Sequence, residues 1–327
     1  MIGSEAVRPP SPSPAGGGEY VVIIVRRVKA DETQGLRLMT SPDILAAAVL
    51  NGLMSGAVYA LIAVGLTLVY GVLHIINFAH GAMLSAAMFA AFLAFQAGID
   101  PYAAMVPLAL VFFALGYGLQ RLVIGPASHG DDQNVLLITL GLSIVIENLL
   151  LAVFNSDTRT IDVAYGFSTL DLGFTFLALP RAIAFGVSCL VAVLLWILLA
   201  HTDTGKAIRA VAKEKLGASL AGIDVAHIYA VTFGLGATCL AIAACLLLPT
   251  YYVHPRVGNA YVLVAFTIVV LGGMGSIPGA IAGGFFVGVV ESLCGLLFGE
   301  SLGQLGIFVI FILVLLLRPT GLFGAKA

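Results

Sequence analysis

The sequence predicts an all-α membrane protein, a polytopic transmembrane helical bundle of about eight to ten helices, and three observations carry that expectation. Of 327 residues, 60% are apolar and 10% charged, against roughly 25% charged in soluble domains, and mean hydropathy is +1.08. The apolar residues gather in the runs 43–72, 76–97, 101–124, 134–154, 180–200, 227–248, 259–274, 278–298 and 302–317, most of them near the roughly 20 residues that cross a bilayer. None of these runs alternates with period two, so backbone groups in hydrocarbon are satisfied within helices and not in a closed barrel. A soluble globule and a soluble enzyme domain are excluded. Fifteen Lys and Arg against seventeen Asp and Glu leave a formal charge of −2, without the basic surface that nucleic acid requires.

Residues 1–42 differ from the rest. Pro9, Pro10, Pro12, Pro14 and Gly16-Gly17-Gly18 give the composition of a disordered extension. Its apolar piece, Tyr20 to Val25, is too short to cross and precedes Arg26-Arg27, the reverse of a signal peptide. Met39, just ahead of the first span, is an alternative start.

After the first span, Ile75-Ile-Asn77-Phe-Ala-His80-Gly81 breaks the apolar pattern. Polar groups at membrane depth face protein or a water-filled path. Asn77 and His80, three apart on one helix face, therefore either bond a neighbouring helix or line a transport path. In the fourth span Thr139, Ser143 and Glu147 step by four and form one stripe, with Asn148 beside the last. Thr and Ser can bond carbonyls one turn back; Glu147 must face the interior, be paired, or be protonated. Glu291 in the eighth span faces the same alternatives. No Lys or Arg lies deep in the spans near Glu147, so an ionic partner would have to come from outside the chain, and otherwise the carboxyl is expected to be protonated.

The stretch 204–223 is the least hydrophobic part of the core chain. Ile208, Val211, Ala212, Leu216, Leu220 and Ile223 follow helical spacing, while Lys206, Arg209, Lys213 and Glu214 fall largely elsewhere on the wheel. One amphipathic helix is expected, capped by Asp203 or Thr204 and stopped at Gly222. It either lies on the lipid surface or docks into a partner's groove. Its basic cluster, with Arg318 and Lys326, is expected to be cytoplasmic. Counting back five spans then sets the start of the first span outside, although Arg26, Arg27, Lys29 and Arg37 favour the inside.

Small residues at 275, 279 and 283, and at 284 and 288, permit close helix packing, and Pro278 among glycines marks a break. The stretch from Gly65 to Ala82 resembles that from Ala265 to Ala280, a pair of interrupted segments such as mark a transporter's central pathway. Cys189, Cys239, Cys245 and Cys294 lack metal-ligand spacing and read as buried apolar residues. Gly205-Lys206 is no phosphate-binding loop: Ala200 stands where its first Gly would be, and Ala207 replaces the Ser or Thr that binds Mg²⁺. The zinc-protease pattern HExxH does not occur in the sequence.

Five motifs occur in the order of a known family: Asn51-Gly…Tyr59-Ala-Leu-Ile-Ala…Gly65-Leu-Thr-Leu-Val-Tyr-Gly71, Ile76-Asn-Phe-Ala-His-Gly81, Gly205-Lys-Ala-Ile-Arg-Ala-Val-Ala, Leu271-Gly-Gly-Met-Gly-Ser-Ile-Pro-Gly-Ala280 and Arg318-Pro-Thr-Gly-Leu-Phe323. Together they resemble the permease subunits of branched-chain amino acid ABC importers over nearly all of residues 42–324. The resemblance implies a multi-pass subunit of a bacterial or archaeal inner membrane, without an ATPase site or bound cofactor of its own. ATP and Mg are then held by two cytoplasmic ATPase subunits, and a homologous second permease and an extracytoplasmic solute-binding protein complete the assembly in the lipid bilayer. On this expectation 43–324 is the permease domain and 204–223 its coupling helix, with Lys206, Arg209, Val211, Leu216 and Leu220 docking the ATPase. Asn77, His80, Thr139, Ser143 and Glu147 are the expected pathway residues. Many family members carry Gln where Glu147 stands, and the Pro-rich leader has no family counterpart. Importers of urea and short amides share the wider family, and an ion-coupled secondary transporter is the rival class.

Overall fold

A computed structural model describes residues 42–128, 132–171, 173, 175–318 and 321; the N-terminal extension and most of the Arg318–Phe323 motif lie outside the described residues. Every apolar run becomes a helix, because only intrasegment hydrogen bonds satisfy the backbone where water is absent. The helices are α1 (Pro42–Leu73), α2 (Ala79–Gln96), α3 (Pro101–Gly118), α4 (Gly125–Ser128), α5 (Asp132–Phe154), α6 (Leu179–His201), α7 (Asp203–Lys213), α8 (Lys215–Leu220), α9 (Val225–Leu247), α10 (Val257–Gly272), α11 (Ile277–Phe298) and α12 (Glu300–Leu317). Seven apolar helices among the described residues are long enough to cross a membrane, and the shorter α10 and the apolar part of α12 complete the expected nine. A π-helical turn, Leu119–Ile124, joins α3 to α4. Two three-residue strands, β1 (Thr169–Asp171) and β2 (Phe176–Ala178), pair antiparallel in the connection before α6; runs this short leave no alternation to read.

The core is carried by α1, α2 and α9, whose side chains are buried along most of their length, whereas α3, α5 and α6 present apolar side chains such as Leu110, Ile144 and Leu194 outward, as lipid-facing helices do. Glycine lets α1 approach its neighbours. A Cβ placed on Gly52 would lie 2.7 Å from the Gly288 carbonyl oxygen, and one on Gly56 would lie 2.7 Å from that of Gly284. The small residues at 284 and 288 therefore seat α11 on α1, while Gly279 meets Gly272 of α10.

Pro278 begins α11 and does not interrupt it. Proline is tolerated in the first helical turn, Ser276 caps the helix by accepting from Gly279 N–H at 3.2 Å, and the break lies at 273–276, where Gly273 and Gly275 have φ of 92° and 84°. Asn51 accepts from Arg181 Nη1 at 3.3 Å. Arg181 opens α6, and the far end of α6 leads into α7, so Asn51 and α7 lie at opposite ends of the bundle.

Candidate functional site

The end of the bundle with the basic cluster carries two short helices in place of one. Thr202 caps α7, accepting from Gly205 N–H at 3.0 Å, one residue ahead of the expected cap. Glu214 adopts an extended backbone, φ −155° and ψ 101°, and caps α8 through Leu216 N–H at 3.2 Å. Gly222, at φ 84°, closes the segment, with Ile223 N–H on the Ala218 carbonyl at 3.1 Å and Gly222 N–H on that of Ser219 at 3.0 Å, the two bonds of a Schellman stop.

The break divides the residues expected to dock a partner. Val211, 2% exposed, packs into the bundle with Ile208, so Val211 is no part of an outer docking face: the apolar side of α7 is needed to seat it on the bundle. Arg209 donates to the Leu199 carbonyl at the end of α6, fixing the corner between α6 and α7. Lys206 pairs with Asp203 at 2.9 Å on the outer face, and that ammonium holds the exposed Asp203 carboxyl below its usual range. Beyond the break, Leu216 and Leu220 stand 68% and 82% exposed.

The polar residues of the first interruption serve α2. Asn77 accepts from Ala79 N–H at 3.0 Å, and the His80 ring donates from Nε2 to the Ile62 carbonyl of α1 at 3.0 Å. Thr139 of α5 accepts from Phe78 N–H at 3.4 Å and donates to the Leu136 carbonyl. The structure thus brings Asn77, His80 and Thr139 together at the start of α2, all buried, with Ser143 buried one turn above Thr139. The second interruption reaches α1 as well, where Gly275 packs against Gly71.

Glu147 finds an ionic partner within the chain. Arg256, which precedes α10, sets Nε 3.9 Å from its carboxylate; Glu147 is 18% exposed and Arg256 62%. This corrects the expectation of an external partner, since the connection between α9 and α10 brings in a cation that no span supplies. An exposed pair at this distance contributes roughly 0.2–1 kcal/mol. A double-mutant cycle of Glu147→Gln and Arg256→Gln on thermal stability should give coupling in that range, and zero coupling would refute the pairing.

α1 borders three cavities. The outer one, about 420 Å³, is lined by Asn51, Ser55, Tyr59, Arg181, Glu291 and Ser292, among others. Next along the helix lies an apolar cavity of about 510 Å³ bordered by Ala57, Leu61, Val64, Ala192, Trp196 and Phe285. The innermost, about 340 Å³, runs past Thr67, Gly71 and Pro278 to Ile208 and Arg209 of α7. Trp196, Ile277 and Pro278 border both the middle and inner cavities. The middle and inner cavities adjoin between α1, α6 and α11, and the outer one shares no lining residue with either. In the outer cavity the Tyr59 hydroxyl faces the Glu291 carboxylate, and Arg181 Nε is buried without a hydrogen-bond partner. Arg181 escaped the sequence reading, although a lone cation opening an apolar run was a usable signal. None of Asn77, His80, Thr139, Ser143 and Glu147 borders these three cavities.

Fold and site define a multi-pass helical membrane protein with cavities beside its first helix and an amphipathic appendage at one end. The chain belongs to the family described as branched-chain amino acid transport system, permease component, whose model matches residues 48–317. It is 35% identical over 288 residues to the high-affinity branched-chain amino acid transport system permease protein BraD of Pseudomonas aeruginosa, covering 84% of this chain and 94% of that one. LivH of Escherichia coli, a permease protein of the same description, is 33% identical with the same coverage. A probable LivH of Methanocaldococcus jannaschii is 26% identical over 81% of this chain and 88% of its own.

Proposed function

We propose that this chain is one permease subunit of an ATP-driven importer that moves branched-chain amino acids inward across the inner membrane of a bacterium or archaeon. The family match over 48–317 supplies the class. The observation that carries the coupling is the exposed Leu216–Leu220 pair on α8, an apolar knob at the end of the bundle with the basic cluster. In this reading Lys206, Leu216 and Leu220 meet a cytoplasmic ATPase subunit, and Arg209 and Val211 hold the helices that present them. The chain binds no cofactor. Two ATPase subunits bring ATP and Mg, a second permease completes the path, and an extracytoplasmic binding protein delivers solute.

Reconstitution in proteoliposomes tests the reading. Uptake of radiolabelled L-leucine should require the cognate ATPases, ATP and the binding protein. Uptake driven by an ion gradient without the ATPases would establish a secondary transporter in its place.

A further inference from the structure

The outer cavity holds groups that neither the packing of α1 nor the seating of α7 uses. Arg181 donates from Nη1 to Asn51, which leaves its buried Nε–H without an acceptor, a costly state for a charged donor. Glu291, on α11, borders the same space. The ion pairs of the described residues are Arg121–Asp224, Lys206–Asp203 and Arg256–Glu147, so Arg181 and Glu291 do not neutralise each other. A guanidinium with an open donor and a carboxylate thus face one cavity of about 420 Å³, within the size range of small-molecule sites. A simple anion, such as a phosphate, would be attracted by Arg181 and repelled by Glu291, and a simple cation would meet the reverse. A molecule carrying both charges satisfies both. A separate apolar cavity, bordered by Ala57, Leu61 and Phe285, lies on another face of α1, since residues two apart on a helix point to different sides.

Resting on the transport reading above, we propose that the outer cavity is the permease's own binding site for an α-amino acid in transit. Arg181 takes the carboxylate, and Glu291 with Tyr59 takes the ammonium. Specificity on this account is set twice, once by the delivering protein and again here, where the charged pair demands the zwitterion.

The test uses the assembled complex in proteoliposomes, with the binding protein saturated by L-leucine so that capture is not limiting. Arg181→Gln and Glu291→Gln should each lower maximal uptake about tenfold or more, the order expected when a buried charge is left opposite a neutral partner, while co-purification with the ATPases and basal ATP hydrolysis persist. A second measurement leaves both charges in place. Ser55→Cys, at the cavity wall, should react with a small cationic methanethiosulfonate, above the background of the parent chain, and L-leucine should slow that reaction. Leucinol, without the carboxylate, and 4-methylpentanoate, without the ammonium, should not. If wild-type complex takes up L-leucine but both assembled variants match its maximal rate, the site is refuted. Should the variants fail to assemble, equal protection of Ser55→Cys by all three compounds, or by none, refutes it. Absence of L-leucine uptake by the wild-type complex overturns the transport reading itself.

Discussion

Gly288→Val is expected to yield a permease whose apparent melting temperature falls by about 4 °C and whose uptake is lost with it. A Cβ at 288 would overlap the Gly52 carbonyl oxygen and the Gly56 backbone, and from the opposite side one at Gly52 would lie 2.7 Å from Gly288 oxygen and Val289 Cα. These obstacles are main chain and cannot rotate aside, so α1 and α11 must part along a seam that also includes Gly56 and Gly284. Overpacking a core costs roughly 1–3 kcal/mol where side chains can adjust, and a rigid seam lies at the upper end. For a chain of this size roughly 3 kcal/mol corresponds to about 4 °C. Without a hydrophobic drive between helices in lipid, close packing carries their association, so the remaining contacts do not restore what the seam loses. Gly141→Ala supplies the control, because a Cβ at Gly141 meets nothing within 4 Å and alanine favours a helix by roughly 1 kcal/mol. It should leave stability unchanged or raised. A Gly288→Val complex that melts with the wild type would refute the seam. Since α1 and α11 also wall the outer and middle cavities, the same variant reports on the space they enclose.

The spans were legible because polar segments separate long apolar runs, and the boundaries of α6 and α9 fall within a few residues of those read from composition. The small-residue face of α11 was legible too, since closeness in lipid demands missing side chains. What hydropathy could not supply was the partner of each polar group. Asn77 and Thr139 are far apart in sequence, and their meeting at Phe78 results from α2 packing on α5. Glu147 reaches Arg256 only because the connection ahead of α10 brings that cation to α5. The Arg181–Glu291 cavity draws on the first turn of α6 and the latter half of α11; Glu291 alone looked like an isolated charge to be hidden, and Arg181 gave no reading. At 204–223 the apolar periodicity runs through Glu214 without interruption, yet the extended backbone there turns α8 away from the line of α7, so Ile208 and Val211 face the bundle while Leu216 and Leu220 face out. Periodicity names an apolar face but not which neighbour covers it.

That division makes substitutions a few residues apart differ in kind. Leu216→Asp and Leu220→Asp should leave a folded permease that no longer retains the ATPase subunits. Both leucines are more than two-thirds exposed, so the chain itself loses little, whereas fully burying a leucine at an interface is worth roughly 1.5–3 kcal/mol. A carboxylate there would in addition be desolvated without a partner. Since each 1.4 kcal/mol is a factor of ten, either variant should weaken ATPase retention by about a hundredfold or more, and uptake of L-leucine should cease. Val211→Asp should act earlier. Its side chain is 2% exposed, and an unpaired charge there opposes the seating of α7, so the permease should be recovered in low yield whether or not ATPases are co-expressed. Arg209→Asp takes the donor from the Leu199 carbonyl and sets a carboxylate beside it, at the α6 C-terminus where the helix dipole already disfavours negative charge; it should destabilise the corner and should not be rescued by excess ATPase. Co-purification scored against permease yield separates the two classes. Normal ATPase retention by both leucine variants, with full uptake, would show that α8 is not the docking surface.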